Sequence, residues 1–313
     1  MKKNEREIFL AMVIKLYYVD NKDQKDIAKL TGISQAKVSR MLLEAREKGM
    51  VEIKVVDYSP RNSKLEEELV AKYGLTEVAV IKTIRNPQKI LHYKNIGYFA
   101  APIIDRLVRA NSMICVAAGR HIAYVVQELK KRPLSGISIL QTMGSVWPTV
   151  NEYDAAEIGR KLAEIYEGRF YQLQTPAIAS SPQEREIFVK HSQIKSVLAM
   201  MNKITLAIIG IGVPEDSVFL DGNFLKYQDI GELKKKGVVG EICGIFYDEN
   251  GKECDTPYKD CVIGISLEQL KNTPSVVAVT SGENRVPAIK GAIKGGYIKT
   301  LITDDETAEK LLE

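Results

Sequence analysis

Cysteine, histidine and tryptophan are scarce in this chain of 313 residues. The four cysteines form no CxxC pair and show no metal-ligand spacing, a pattern that favours buried structural thiols over zinc or disulfides: Cys115, Cys243, Cys254 and Cys261. Three histidines (His92, His121 and His191) are too few to suggest histidine-rich metal chemistry. We therefore expect neither a metal nor a cofactor.

Long apolar runs are also missing. None reaches the roughly 18 residues that a membrane-spanning helix needs. The N-terminus is basic and then apolar, as in a signal peptide, but Glu5, Glu7 and Lys15 interrupt it with helical period and no small-residue cleavage site follows. We expect an amphipathic first helix in a cytoplasmic protein with no membrane partner.

The length suggests two domains, with one large α/β domain as the alternative. Positive charge is concentrated at one end: residues 1–56 hold twelve Lys or Arg and eight Asp or Glu, whereas the remainder holds 32 of each sign. An excess of four is small, but its position suits contact with nucleic-acid phosphates. The balanced charge of the remainder indicates a part of the protein with a different function.

Residues Gln24–Leu43 have the pattern of a helix-turn-helix. Small or apolar residues stand where two crossing helices need them: Ile27, Ala28, Leu30, Gly32, Ile33, Val38, Met41 and Leu42. Gly32 suits the positive φ that ends a helix, and Ser34 is a plausible N-cap for the next one. An ordinary helical hairpin in a globular domain is the alternative, but three constraints at fixed offsets favour DNA binding.

The outward face of the second helix is the one that a recognition helix presents to a major groove. We predict contacts to bases or nearby phosphates from Gln35, Ala36, Lys37 and Arg40, and contacts to the DNA backbone from Gln24, Ser39 and Lys54. Residues 51–56 alternate apolar and polar side chains as a short strand, which predicts a winged variant. The turn-rich segment 57–63 marks a boundary between domains 1–57 and 58–313.

The second domain alternates apolar strands with helices, which predicts an α/β fold with a mostly parallel sheet covered on both faces. One long helix, residues 87–108, is predicted to be interrupted at Gly97 and Pro102. The predicted strands are residues 77–82, 112–118, 137–143, 205–209, 238–248, 262–266, 275–280 and 300–303.

Three segments bring polar groups to the carboxyl ends of predicted strands, where parallel sheets bind ligands. The first is the turn containing Gly119, Arg120 and His121; its helix start suits an anion, although a plain helix start with an exposed arginine is possible. The second is Met143, Gly144 and Ser145, whose amides suit a sugar hydroxyl or phosphate, although turn chemistry explains them nearly as well. The third is the segment Ser281, Gly282, Glu283, Asn284 and Arg285, where Arg285 makes either a ligand contact or a surface ion pair.

Glu241 lies in an apolar run, where a carboxylate is expected only if it has a binding or structural partner. It is expected to accept from sugar hydroxyls or from Arg120 or Arg285, with a buried structural ion pair as the alternative. Gln174 and Asp221 are weaker candidates for the same site.

These motifs, in this order, resemble the SorC family of bacterial transcriptional regulators. The resemblance covers nearly the whole chain, from LYYVDNKDQKDIAKLTGISQAKVSRMLLEAREKG through GEICGIFYDENG to GAIKGGYIKTLITDDETAEKLL. It implies a C-terminal effector sensor similar to the glucosamine-phosphate and ribose-phosphate isomerases. It also implies that AAGRHI is a phosphate-binding loop, SGENR a second anion contact and Glu241 a sugar-hydroxyl acceptor.

The chain departs from the family pattern in the same segments. Family members usually have Gly-Thr or Arg-Thr at Arg120-His121, a lysine at Arg285 and a doubled glycine in the segment that here reads QTMGS. Both a sugar and a sugar phosphate therefore stay open as effectors.

The sequence predicts a DNA-binding transcriptional regulator, not an enzyme, with operator DNA, a carbohydrate or sugar-phosphate effector and further copies of itself (a dimer or tetramer) as partners. Repression of a carbohydrate-catabolism operon, relieved by the effector, is the leading hypothesis, and activation by the same sensor is the alternative. An isomerase or deaminase with a DNA-binding appendage needs a base between the anion loops. Glu241, Asp221 and His121 are nearby, but none lies in a recognisable catalytic run, and we predict no catalytic residue. A nucleoid protein without sequence preference is a third hypothesis.

Overall fold

The computed structural model describes residues 3–53, 60–83, 88–222 and 224–313. The chain divides into two compact units, Met1–Ser59 and Pro60–Glu313. Among the described residues, no helix combines the length and the apolar character needed to cross a membrane. All four cysteines are buried free thiols.

The first unit consists of three helices and a π-helical turn: α1 (Lys3–Ile14), the turn Lys15–Val19, α2 (Gln24–Thr31) and α3 (Gln35–Glu47). Its core is formed by seven buried residues: Leu10, Val13, Ile27, Val38, Met41, Leu42 and Ala45. Gly32 ends α2 at φ 70°, and the Ser34 hydroxyl accepts a hydrogen bond from the Lys37 amide, so both cap predictions are confirmed. Leu30, predicted to pack inside, is 63% exposed.

The predicted wing is not seen in the residues that can be described. Residues 51–53 form no strand, and residues 54–56 lie outside the described residues. The expected phosphate contact from Lys54 therefore also falls outside them.

The second unit is an α/β fold around a seven-stranded sheet. Its helices are α4 (Ser63–Tyr73), α5 (Lys89–Leu107), α6 (Arg120–Glu128), α7 (Ala155–Tyr166), α8 (Pro182–Lys190), α9 (Ser192–Met200), α10 (Val218–Asp221), α11 (Tyr227–Lys235), α12 (Leu267–Asn272), α13 (Val286–Lys294) and α14 (Asp305–Leu312). Its strands are β1 (Glu77–Ile81), β2 (Met113–Val116), β3 (Ser138–Gln141), β4 (Arg169–Tyr171), β5 (Leu206–Ile209), β6 (Gly240–Ile242), β7 (Ile245–Tyr247), β8 (Ser275–Val279) and β9 (Thr300–Asp304). Short 3-10 turns occur at Met201–Lys203, Pro214–Asp216 and Glu283–Arg285.

The strand order in the sheet is β1-β9-β8-β5-β2-β3-β4, and the neighbouring strands pair in parallel. Strands β5 and β9 are buried at every residue. Because successive side chains point to opposite faces, this burial means that both faces of the sheet are covered. The prediction of a mostly parallel, doubly covered sheet is confirmed.

Two predicted strands are wrong. Residues 238–248 fold into the antiparallel hairpin β6–β7, since Cys243 and Gly244 both have positive φ (51° and 81°) and form a two-residue turn. The apolar run 262–266 makes only single bridges, such as Ile178 with Val262, and no ladder. Burial alone made that run look like a strand, which is the known ambiguity of short apolar segments.

The predicted interruptions of α5 are also wrong, because the helix is continuous. A Cβ on Gly97 would lie 2.7 Å from the Tyr124 carbonyl carbon, so this glycine serves close packing of α5 on α6. Pro102 lies on the exposed side of α5, where the carbonyl left without its N–H partner can be hydrated.

Candidate functional sites

A cleft opens at the carboxyl ends of β2 and β5. From β2 the chain continues toward β3, whereas from β5 it continues to the other side of the sheet, toward β8. This is a topological switch point, the place where open parallel sheets bind ligands. Six of the twelve predicted effector residues line the cleft: Gly119, Arg120, His121, Met143, Glu241 and Arg285.

The β2–α6 turn provides uncapped helical amides. Gly119 adopts φ 145° and ψ 151°, a conformation that only glycine enters readily, and no side chain caps the helix start. The first amides of a helix have no intrahelical acceptor, so those of Arg120, His121 and Ile122 are available as donors at the positive end of the α6 dipole. The amide of Gly119 itself donates to the Tyr153 carbonyl at 2.9 Å.

Both arginines of the cleft are paired with carboxylates. Nη2 of Arg120 lies 2.6 Å from Oδ2 of Asp221, and the Arg120 guanidinium stands 5.7 Å from the centre of the Tyr153 ring. The Arg285 guanidinium pairs with Asp216 and donates to the Ser281 carbonyl at 2.8 Å. Arg285 was predicted to make either a ligand contact or a surface ion pair. Its ion pair exists, but the arginine side chain is only 11% exposed.

Glu241 is the buried carboxyl of the site. It lies in β6, where it exchanges two 3.0 Å backbone hydrogen bonds with Gly212, and its side chain accepts from the Ser217 hydroxyl at 3.3 Å. Of the two arginines expected as its partners, Arg120 pairs with Asp221 and Arg285 pairs with Asp216. Burial raises the pKa of Glu241 to about 7, against the opposing effects of Ser217 and Arg285. Near neutral pH this carboxyl can therefore both donate and accept hydrogen bonds.

A chain of hydrogen bonds connects His121 to residues outside the cleft. Oγ of Ser281 lies 2.8 Å from Nε2 of His121 and 2.9 Å from Nε2 of His92, which in turn lies 3.2 Å from Oδ2 of Asp304. Burial works against ionisation of Asp304, but hydrogen bonds from His92 and Thr307 lower its pKa overall. The carboxylate therefore accepts, which places the Nε2 proton on His92, and the Ser281 hydroxyl can then donate to Nε2 of His121 or accept from it.

His121 is neutral because it is buried. Burial lowers its pKa to about 3, and the nearby charges of Arg285 and His92 act in the same direction. The arrangement is not a catalytic triad, because His92 meets both the serine and the aspartate through one nitrogen.

Two residues of the predicted second segment use their backbone amides in hydrogen bonds within the protein. The Gly144 amide donates to the Ile263 carbonyl at 3.0 Å, and the Ser145 amide donates to the Thr175 carbonyl at 2.9 Å. The prediction that these amides meet a sugar or phosphate is therefore wrong. Only Met143 of this segment lines the cleft.

Three other predicted residues are not brought into the cleft. Gln174 lies in a groove with residues of β4, α8 and α9. Glu283 and Asn284 are exposed, and Asn284 borders a neighbouring depression with His92 and Ser281. Asp221 takes part in the site through its pairing with Arg120.

Sequence reasoning missed several residues of the site: Tyr93, His92, Asp216, Ser217 and Asp304. Ser281 belongs to the predicted SGENR segment, although it was not singled out there. Asp216 and Ser217 lie in the glycine-broken loop after β5, so position relative to a strand end was an available signal. His92 had none, since it reaches Ser281 from a helix 189 positions earlier in the chain.

The outward face of α3 is exposed as predicted. Gln35, Ala36, Lys37, Ser39 and Arg40 are exposed, whereas Val38, Met41, Leu42 and Ala45 are buried. Gln24 is half-buried at the first position of α2. This face carries two cations next to short polar side chains, a composition suited to phosphate and base contacts.

Comparisons with known proteins identify the family of the chain. Residues 59–313 match the family model described as "Putative sugar-binding domain". The chain is 28% identical over 299 residues to the deoxyribonucleoside regulator of Bacillus subtilis, covering 95% of each protein. It is also 28% identical over 311 residues to the sorbitol operon regulator of Klebsiella pneumoniae, covering 97% of each. The crystal structure of full-length SorC from Klebsiella pneumoniae matches with a TM-score of 0.78 and 26% identity, over 97% of this chain and 98% of that one.

The fold, the family model and these relatives define a transcriptional regulator with a sugar-binding domain. The chain belongs to the SorC family, as the sequence motifs predicted. Its relatives and structural neighbours are transcriptional regulators and not enzymes, which confirms the expectation that this chain is not an enzyme.

Proposed function

We propose that the chain represses a carbohydrate-catabolism operon and that a sugar, polyol or sugar-phosphate effector bound in the cleft relieves the repression. The observation that carries this proposal is the convergence of the Gly119 turn, Glu241 and Arg285 at one switch point of the sheet. Uncapped amides, a carboxyl that can donate and accept, and a guanidinium are the groups that orient a polyhydroxyl ligand. The sorbitol and deoxyribonucleoside regulators among its relatives support a carbohydrate effector.

We infer that α2 and α3 form a winged helix-turn-helix within domain 1–57, with α3 as the recognition helix and Lys54 on the wing. Gln35, Ala36, Lys37 and Arg40 would face bases or nearby phosphates, with Gln24 and Ser39 on the DNA backbone. One such helix reads too few base pairs for useful specificity, so the chain acts as a dimer or tetramer, in the cytoplasm.

In this proposal domain 58–313 is both sensor and oligomerisation domain. The effector binds one oligomeric arrangement better than another, so it shifts the population and changes operator affinity. The expected likeness of this domain to sugar-phosphate isomerases stays a prediction.

Operator binding measured by fluorescence anisotropy tests the proposal, with DNA from the promoter of the neighbouring carbohydrate operon and a panel of sugars, polyols and their phosphates. Arg120→Glu should abolish effector-induced release and leave operator affinity unchanged. Arg109→Glu, the same charge reversal at an exposed residue outside the cleft, is the matched control. A normal effector response in Arg120→Glu places the effector elsewhere.

Two further outcomes separate the remaining hypotheses. Effector-dependent transcription that requires the protein would show an activator with the same sensor. Equal binding to operator and unrelated DNA in a competition gel shift would show a nucleoid protein without sequence preference.

A further inference from the structure

One short segment of the chain, residues 214–222, supplies the carboxylates that hold both arginines of the cleft. Asp216 ends a 3-10 turn and pairs with Arg285, and Asp221 ends α10 and pairs with Arg120. The two cations come from different strand ends, β2 and β8, and the same segment after β5 neutralises both. Both cations of the cleft are thus neutralised by carboxylates of the same chain.

The segment is fixed by packing as well as by charge. Phe219 is fully buried, and its amide donates to the Ser217 hydroxyl at 3.2 Å. That hydroxyl in turn donates to Glu241 at 3.3 Å. Because aspartate side chains are short, this packing keeps the carboxylates of Asp216 and Asp221 close to the arginines.

The charges of the cleft therefore cancel. Of the described side chains that line it, Arg120 and Arg285 are the cations. Asp216, also in the lining, and Asp221, which reaches the cleft through its pairing with Arg120, oppose them one for one. Glu241 adds no positive charge in either protonation state, and His121 is neutral. A phosphate group with its charge of about −2 would be attracted by the α6 dipole, but it would find both guanidiniums already paired and would lie close to Asp216, whose partner Arg285 is shielded from solvent.

What the cleft does present is suited to hydroxyl groups. Glu241 can donate and accept, the uncapped amides at the start of α6 donate, and Met143 and Val218 offer apolar contact for C–H surfaces. Hydrogen-bond donors and acceptors without net charge, close to a small apolar area, match a molecule that carries many hydroxyls and no charge.

We propose that the cleft takes an uncharged polyhydroxyl ligand, a free sugar or polyol, and that Asp216 and Asp221 exclude its phosphorylated counterpart by occupying both arginines. This proposal rests on the proposed function, in which the cleft is the effector site, and narrows the effector to one of the classes named there.

The experiment measures binding of inorganic phosphate to the full-length protein by isothermal titration calorimetry, without DNA. It compares the wild type with the double variant Asp216→Asn/Asp221→Asn. Glu215→Gln is the matched control, because it removes one negative charge from the same segment at a residue that pairs with Lys234. A thermal-shift panel of neutral sugars and polyols, each beside its own phosphate ester, runs in parallel on the wild type.

We expect the double variant to bind phosphate at least tenfold more tightly than the wild type and Glu215→Gln. Adding Arg285→Gln should remove that gain. Asp221→Asn alone, at a carboxylate that is 45% exposed, should show a smaller gain and covers the case in which the double variant does not fold. In the panel, stabilisation of the wild type should come from the neutral compounds.

Three results would each overturn the proposal: wild-type affinity for phosphate equal to that of the double variant, an equal gain in Glu215→Gln, or stabilisation of the wild type by phosphate esters and not by their parent sugars. Failure to bind operator DNA would refute the proposed function and leave these titrations unaffected.

Discussion

The imidazole of His121 and the hydroxyl of Ser281 are joined by a 2.8 Å hydrogen bond in the wall of the cleft. The same hydroxyl meets His92, so one serine connects a histidine that lines the cleft to a second histidine and to Asp304 at the end of β9. Because Nε2 of His121 has the Ser281 hydroxyl as its hydrogen-bond partner, the serine holds the orientation of the imidazole ring. The ligand-facing chemistry of α6 thus depends on residues at the ends of β8 and β9.

Ser281→Ala should destabilise the protein by about 1–3 kcal/mol, because it leaves the buried Nε2 of His121 without its hydrogen-bond partner. It should also weaken the effector response, since the ring is no longer held in one orientation. Thermal unfolding and effector titration check both effects. Ser275→Ala, at the start of the same strand β8, is the matched control and should stay within about 0.5 kcal/mol of wild type. Equal losses in the two variants would contradict the role of Ser281.

Glu241 should make the protein less stable as pH rises. Its pKa is raised by burial from 4.5 to about 7, so between these values the folded state holds a proton that the unfolded state has lost. The free energy of unfolding therefore falls between about pH 4.5 and about pH 7, by an amount on the order of 3 kcal/mol. Above pH 7 the contribution of Glu241 no longer changes with pH. Glu241→Gln removes the term.

The measurement is the difference in free energy of unfolding between Glu241→Gln and wild type, at several pH values from 5 to 8. We expect the difference to move in favour of the variant as pH rises. Parallel pH profiles would show that Glu241 does not titrate in this range.

Periodicity alone predicted most of the sheet, because parallel strands buried on both faces are continuous apolar runs. It failed at residues 262–266, where the chain is buried but forms no ladder. It also failed at residues 238–248, because Cys243 in the Cys243-Gly244 turn has a positive φ that a cysteine in the sequence does not indicate. Gly97 was misjudged for a related reason: a glycine at a helix crossing and a helix breaker look alike in one sequence.

The candidate site was predictable where a residue follows a strand directly, as Gly119, Arg120 and His121 follow β2. Gly144 and Ser145 met the same criterion and are nevertheless bonded to neighbouring loops, because strand position does not show which amides already have acceptors. Partnerships across the chain, such as Arg285 with Asp216, depend on topology and cannot be seen in local spacing.

Arg40→Ala should weaken operator binding by about 1–3 kcal/mol if the guanidinium reads a guanine. Arg40 is exposed on α3, and its one described bond is a 3.4 Å contact to the Ala36 carbonyl of its own helix. Arg169→Ala, which removes the same charge from an exposed residue of β4, is the control and should leave affinity nearly unchanged. Anisotropy titrations at fixed salt decide, and equal affinities for the two variants would refute a base contact by Arg40.

Gly119→Ala should damage the cleft through backbone conformation and not through a clash. A Cβ at this position meets nothing within 4 Å, but φ 145° is strained for any L side chain, at a cost of about 1–3 kcal/mol. The β2–α6 turn can relieve that strain only by rotating, which moves the amides of Arg120 and His121 away from the cleft. We expect a lowered melting temperature and an effector affinity reduced about tenfold or more.

Gly210→Ala is the matched control, because Gly210 also lines the cleft and an added Cβ there meets nothing within 4 Å, but its φ lies outside the strained positive range. It should keep both stability and effector affinity close to wild type. If Gly210→Ala loses effector affinity as fully as Gly119→Ala, the added methyl group itself blocks the ligand and the backbone argument is wrong. If only Gly119→Ala loses affinity, the geometry of the α6 start is what the effector recognises.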